Sequence, residues 1–309
     1  MTSNAIVPSL TPIAIVGPTA VGKSSCALRI AEHIGGSIVS VDSRCVYRSL
    51  DIGTAKPSAI DRERVPHYLI DCVNPDQDYS VACFLADAQA AISTIQASGR
   101  RPILVGGTGY WMRALLGGGT SAPIPPNHEL RAELDALMES QGIAAVAARL
   151  DQIDPAAARS IDRRNPRRLF RAIEVVRATG RPYADSRQSI PESPDVRLFG
   201  LTMPRETLDQ RIADRYVAML DDGWVAEVRA LLDRGYDPAL PSLSSLGYAE
   251  IIRHIAGELS LDNALELATT RCRQYAREQY RWFRPNDPGI QWFDANKETW
   301  KSIVSILLE

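Results

Sequence analysis

The 309-residue chain has no C-x-x-C pair: its five cysteines, Cys26, Cys45, Cys72, Cys83 and Cys272, are scattered. That excludes the ligand spacing of a zinc site and the framework of a disulfide-stapled domain, and it fits a reducing compartment. No apolar run approaches the roughly 18 residues that a membrane span needs. The N-terminus, MTSNAIVPSLTPIAIVG, lacks the basic segment and long apolar stretch of a secretory signal. A cytoplasmic protein is the expectation. Strong charge of either sign is missing as well: 35 Lys+Arg face 37 Asp+Glu, so bulk charge does not draw the chain to nucleic acid. Internal repeats and low-complexity tracts are absent. So is a guanine-specifying N-K-x-D motif, which disfavours a GTPase. The nearest candidate for a Walker-B carboxylate is Asp71, after Tyr68-Leu69-Ile70.

What is present reads as a globular α/β chain. With 45% hydrophobic and 23% charged residues, the composition supports one large or two modest cores. Short apolar runs at Ile13–Val16, Ser37–Val41 and Pro102–Val105 alternate with helical stretches at Lys23–His33 and Val81–Ser98. Such repetition implies a parallel sheet flanked by helices, with functional groups just past the strand ends. Residues 117–126, GGGTSAPIPP, break the pattern. Helix caps follow at Asn127, at Asp154-Pro155 and at Asn165-Pro166, the last helix ending at Gly180. This reads as a P-loop core (1–119), a smaller all-helical insert (120–195) and a return to the core (196–309). The return holds a strand at Val196–Met203, helices near 205–220, 224–234 and 263–283, and a last strand at Ile290–Phe293.

The strongest signal is Gly17-Pro18-Thr19-Ala20-Val21-Gly22-Lys23-Ser24, a full G-x-x-x-x-G-K-[ST] match between a strand and a helix. Its glycines let backbone N–H groups point inward, Lys23 adds a charge, and the Ser24 hydroxyl can hold Mg²⁺. The motif says phosphate rather than ATP, so ATP use stays open. A second strand end supplies Asp42, placed as a proton acceptor, a metal ligand or a plain cap. A third supplies Gly106-Gly107-Thr108-Gly109, either a substrate-facing turn or a tight turn alone.

Charge is concentrated although the total is near zero. Between Arg159 and Arg181 lie eight arginines against two acids, several at the start of the Asn165-Pro166 helix, where the macrodipole disfavours cations. Arg273, Arg277, Arg281 and Arg284, spaced four, four and three apart, form one continuous stripe, with Tyr275, Tyr280, Trp282 and Phe283 interleaved. Arginine with aromatics is the composition of an RNA-loop reader; solvated helix faces and core aromatics are the alternatives. Arg211 and Arg215 fall one turn apart on one predicted helix face.

Taken together, GPTAVGKS (17–24), VDSRCVYRSLDIGTAK (41–56), Pro66-His67, GGTG (106–109), RLFRAIEVVRATG (168–180), Gly247-Tyr248 with Glu250, and CRQYAREQYRWF (272–283) resemble the tRNA dimethylallyltransferase family, also called tRNA isopentenyltransferases. The resemblance implies transfer of a dimethylallyl group from dimethylallyl diphosphate to N6 of the adenosine beside the anticodon of tRNA, with pyrophosphate leaving and no ATP consumed. It implies Asp42 as general base, Thr108 against the same nucleotide and Arg215 as a diphosphate clamp aided by Arg211. It further implies Gly17–Ser24 as the diphosphate cradle and Mg²⁺ as cofactor, with Ser24 as metal ligand. Implied tRNA contacts are Asp42, Ser43, Arg44, Cys45, Arg163, Arg164, Arg167, Arg168, Leu169, Phe170, Arg171, Ser244, Ser245, Leu246, Gly247, Tyr248, Ala249, Arg273, Arg277 and Arg281. A monomer is expected. The chain departs from the family pattern at Arg44-Cys45, Trp111, Ser244–Leu246, Cys272, Arg277 and Glu278. Three other readings remain: a small-molecule P-loop kinase, a transferase acting on free adenine nucleotides, and an RNA-binding module with a vestigial loop.

Overall fold

The computed structural model describes residues 10–118, 124–186 and 195–309. Residues 1–9, part of the stretch read for a leader, and 119–123 of the glycine–proline break lie outside these.

The first strand, β1 (Ile13–Val16), is IAIV with every side chain buried, as expected for a parallel strand covered on both faces. The phosphate loop leads into α1 (Lys23–Ile34), which Gly35 closes in the left-handed conformation. Then come β2 (Ser37–Ser40), α2 (Ala59–Arg64), β3 (His67–Tyr68), α3 (Val81–Ala97), β4 (Pro102–Val105) and α4 (Gly109–Arg113). Four helices follow: α5 (His128–Gln141), α6 (Ile143–Ile153), α7 (Pro155–Ser160) and α8 (Pro166–Thr179). The chain returns through β5 (Arg197–Thr202), α9 (Arg205–Asp221), α10 (Trp224–Asp233), α11 (Tyr248–Ile255) and α12 (Leu261–Gln279), and ends in β6 (Ile290–Asp294) and α13 (Thr299–Leu308).

All strand pairings among the described residues are parallel, in the order β3-β2-β4-β1-β5-β6. The step from β1 to β2 skips a place that β4 later fills, while β5 lies on the other side of β1. The carboxyl ends of β2, β4 and β1 therefore stand side by side at the switch in winding direction, where open α/β sheets bind ligands. Ile13, Ile15, Val39, Ile103, Leu104 and Phe199 are almost wholly buried in this core. Each contributes roughly 1.5–3 kcal/mol relative to exposure, so the strands that carry the site's backbone are anchored by buried apolar packing.

The chain divides into two compact units, Met1–Leu116 with Ser193–Glu309, and Gly117–Glu192. The second has its own core, in which Leu130, Leu134, Val146, Leu150, Leu169 and Ile173 pack together. Its helix starts are capped as their sequences suggest: Asn127, Asp154 and Asn165 accept from the N–H of Leu130, Ala157 and Arg168. Glu174 is buried yet stays ionised. Burial would raise its pKa, but hydrogen bonds from Arg131 (2.6 Å) and the Asn127 N–H (3.1 Å), with Arg171 beside it, hold it below the usual value.

Several elements differ from the sequence expectation. α12 starts at Ser260, whose hydroxyl accepts from Asn263 N–H, and stops at Gln279 instead of continuing to 283. The four-arginine stripe is therefore broken: Arg273 and Arg277 are helical, whereas Arg281 and Arg284 lie beyond the helix end. α6 was not anticipated, because Gly142 serves at once as the C-cap of α5 and the N-cap of α6 and leaves no turn residues between them. α2, β3, α11 and α13 are short or weakly patterned elements that the sequence did not announce.

Candidate active site at the carboxyl edge of the sheet

Three close approaches of backbone assemble the site. At Gly17 a Cβ would meet the Leu201 carbonyl oxygen at 2.4 Å, so only glycine lets the loop leave β1 against β5. At Gly106 a Cβ would stand 1.9 Å from the Val41 oxygen, so the turn after β4 presses directly on the chain after β2. The Thr108 N–H then donates to that same Val41 oxygen (3.3 Å), and the Thr108 hydroxyl accepts from Ser43 N–H (2.9 Å). One carboxylate oxygen of Asp42 accepts from Arg44 N–H (2.8 Å). Asp42 and Thr108, 66 positions apart in sequence, thus form one wall.

The opposite wall is the phosphate loop. Lys23 is buried, and its ammonium donates to the Pro18 carbonyl (2.7 Å). Burial pulls its pKa down to about 7; the Asp42 charge opposes the shift and Arg215 adds to it, so the three charges sense one another. Arg215 on α9 reaches the Thr19 hydroxyl (3.2 Å) and the Cys272 sulfur (3.7 Å), while its buried Nε has no partner in the structure. An unsatisfied guanidinium N–H beside a phosphate loop is a ready donor for an anion. Arg211, one turn earlier, comes within 3.7 Å of where a Gly22 Cβ would be. The predicted arginine pair therefore faces the loop.

Thr19, Asp42, Ser43, Arg44, Thr108 and Arg215 line one cavity of about 420 Å³, whose far side is built by Ser244–Leu246 and by Cys272 and Tyr275 of α12. Burial and the Asp42 charge push the Tyr275 phenol well above its usual range, and its hydroxyl donates to the Gly107 carbonyl (2.9 Å). The loop 51–53 is tied down by Glu227, which accepts from the N–H groups of Asp51 (2.9 Å), Ile52 (2.7 Å) and Gly53 (3.3 Å) and from the Tyr248 hydroxyl (2.6 Å).

Ser24 is exposed in the first turn of α1 beside Lys23. Among the described residues no group of three or more His, Cys, Asp or Glu could hold a metal. A hydroxyl at a phosphate loop suits Mg²⁺, a hard cation that keeps most of its waters and takes its remaining ligands from phosphate oxygens.

Other expected residues are placed elsewhere. Burial would raise the pKa of the Asp71 carboxylate, but its ion pairs with Lys56 and Arg62 (2.7 Å each) lower it, and it does not line the cavity. Cys45 and Tyr248 are buried, Tyr248 against Trp224 and Glu227, so neither side chain offers a surface to RNA. Gly247 is packed on Trp224, and Ala249 is half-buried. The side chains of Leu169 and Phe170 face the core of the helical unit. Trp111 is core too, stacked on Phe84 at 4.5 Å. In the helical unit Arg167 and Arg168 are exposed, Arg164 nearly fully so, Arg163 pairs with Asp151, and Arg171 donates to the Ile124 carbonyl (2.9 Å). Arg273 donates to the Asp209 carbonyl and Arg277 to that of Arg273. Of the interleaved aromatics, Phe283 is buried under Arg113 and Tyr280 meets Thr202, while Trp282 remains exposed against Gly109.

Gln279 and Glu227 were not read as site residues from the sequence. For Gln279 a signal existed: Cys272, Tyr275 and Gln279 share one face of α12 at helical spacing.

Residues 45–286 match the family model described as IPP transferase, and 11–71 one described as isopentenyl transferase. The tRNA dimethylallyltransferase of Herpetosiphon aurantiacus is 47% identical over 272 residues, covering 88% of this chain and 86% of that protein. That of Geobacter sulfurreducens is 43% identical over 298 residues, covering 94% and 95%. Among solved structures, the tRNA isopentenylpyrophosphate transferase of Bacillus halodurans superposes with a TM-score of 0.70 at 36% identity, covering 97% and 96%. A eukaryotic dimethylallyltransferase acting on tRNA superposes with 0.78 at 26% identity, covering 96% of this chain and 77% of that one.

Proposed function

Since the chain belongs to the IPP transferase family, we propose that it is a tRNA dimethylallyltransferase, moving the dimethylallyl group of dimethylallyl diphosphate to N6 of the adenosine beside the anticodon and releasing pyrophosphate. The observation that carries the reading is the convergence of the phosphate loop, Asp42, Thr108 and Arg215 on one cavity.

N6 attacks C1, the C1–oxygen bond breaks, and the N6 proton passes to Asp42. An aryl amine is a weak nucleophile, so its placement by Asp42 and Thr108 matters more than its basicity. Negative charge grows on the leaving pyrophosphate, and Lys23, Arg215 and Arg211 stabilise it. Mg²⁺, held by Ser24 and the diphosphate, would neutralise part of that charge when bound. The target base has to leave its stack to reach a recessed Asp42, as an anticodon loop permits. The exposed Arg164, Arg167 and Arg168 supply phosphate contacts. No helix among the described residues is long and apolar enough to cross a membrane. We place the enzyme, as a monomer, in the cytoplasm, where its substrate tRNA resides.

The deciding experiment incubates the protein with tRNA and radiolabelled dimethylallyl diphosphate and then analyses the nucleosides. Label on N6 of the adenosine next to the anticodon is expected. Phosphate transfer from ATP without RNA, and no labelled nucleoside, would return the loop to the kinase reading. Label on free adenine nucleotides in preference to tRNA would move the acceptor to a small molecule.

A further inference from the structure

Gln279, the last residue of α12, is buried, and both ends of its carboxamide are engaged. Its oxygen accepts from Thr19 N–H at 2.6 Å, and its nitrogen donates to the Gly107 carbonyl at 2.6 Å. Thr19 belongs to the diphosphate loop and is held on its hydroxyl by Arg215. Gly107 precedes Thr108, and a Cβ there would lie 2.9 Å from the Gln279 nitrogen and 3.8 Å from the Asp42 carboxylate. One planar group therefore spans from the residue that Arg215 grips to the turn that carries the acceptor-side residues. β1 and β4 fix where the two loops begin. Their tips are free of the ladder, and this carboxamide joins them.

We propose that Gln279 is a positioning residue for the transfer, a role that rests on the function argued above: it sets the spacing between leaving group and nucleophile. Such spacing decides rate, because reacting atoms must approach to about 3–3.5 Å and a misplacement of about 1 Å lowers the rate by about 100-fold. An amide suits the task, since it accepts on one side while donating on the other. Ionised glutamate keeps the Thr19 bond but repels the Gly107 carbonyl. Methionine, of similar size, makes neither bond.

The test measures single-turnover transfer on pre-bound tRNA with saturating dimethylallyl diphosphate, together with both dissociation constants and the thermal midpoint, for the wild type, Gln279→Met and Gln279→Glu. The expected result is a chemical step slowed about 10- to 100-fold in each variant and not restored by more of either substrate, with both dissociation constants within about threefold of wild type. If Gln279→Met does not fold, Gln279→Glu alone carries the comparison. A rate per folded molecule within about threefold of wild type, whatever the thermal midpoint, overturns the role and leaves Gln279 as packing. A wild type that transfers no prenyl group instead overturns the reading of function.

Discussion

Burial weakens the Lys23 ammonium to a pKa of about 7 before the proposed diphosphate binds. A diphosphate beside it favours the charged form, so its pKa rises on binding. Below about pH 7 the proton is present beforehand; above, it is taken up with the ligand. Diphosphate affinity then falls as pH rises past about 7, by up to about tenfold per unit. Calorimetry of pyrophosphate binding near pH 8, in buffers of different ionisation heat, should detect a proton uptake that Lys23→Met abolishes. An identical uptake in wild type and variant would contradict this. Asp42→Asn keeps shape but not charge, so the chemical step should slow by roughly 100-fold while both substrates still bind. Near-normal single-turnover rates would remove Asp42 as the proton acceptor, and recovery at high Mg²⁺ would make it a metal ligand. Asp42 and Thr108 were legible in the sequence because Asp42 directly follows one apolar run and Thr108 stands two glycines past another. Gln279 was harder to find, since its partners lie 260 and 172 positions away and helical spacing shows only that it shares a face with Cys272 and Tyr275, not what it bonds.

Among the elements, α8 carries the electrostatic argument. Arg164, Arg167 and Arg168 crowd its positive end, where cations are disfavoured, and a polyanion relieves that. Neutralising Arg163, Arg164, Arg167 and Arg168 together should weaken tRNA binding and flatten the slope of log affinity against log salt, by roughly one unit for each phosphate left without its arginine. Arg163, paired with Asp151, should add least. An unchanged slope would make the cluster a solvated face. The same helix shows which boundaries a sequence discloses. Asn165-Pro166 and Gly180 marked its ends, because a cap side chain and a left-handed glycine are local chemistry. The end of α12 escaped notice, because residues 280–283 keep a helix-compatible composition and turn only where Tyr280 and Phe283 find tertiary partners.

For the whole molecule, the separate core of the helical unit implies separable stability. Leu150→Ala should cost roughly 2–5 kcal/mol at that core. Amide exchange should then rise across 124–186 and tRNA affinity should drop, while pyrophosphate binding stays as in wild type. Equal protection loss in the sheet would argue for one cooperative unit. The all-parallel order β3-β2-β4-β1-β5-β6 also bears on folding time. The hydrogen bond from Thr19 N–H to Gln279 closes a separation of 260 residues, so the cavity cannot exist until nearly the whole chain has condensed. Long-range closure of this kind comes late. Renaturing molecules should therefore regain transfer activity in the slowest kinetic phase, well after the far-ultraviolet helix signal. A nascent chain that has not yet made α12 carries the phosphate motif but lacks one wall of the cavity proposed for the reaction, so a half-finished copy should leave untouched the tRNAs crowding the ribosome that makes it.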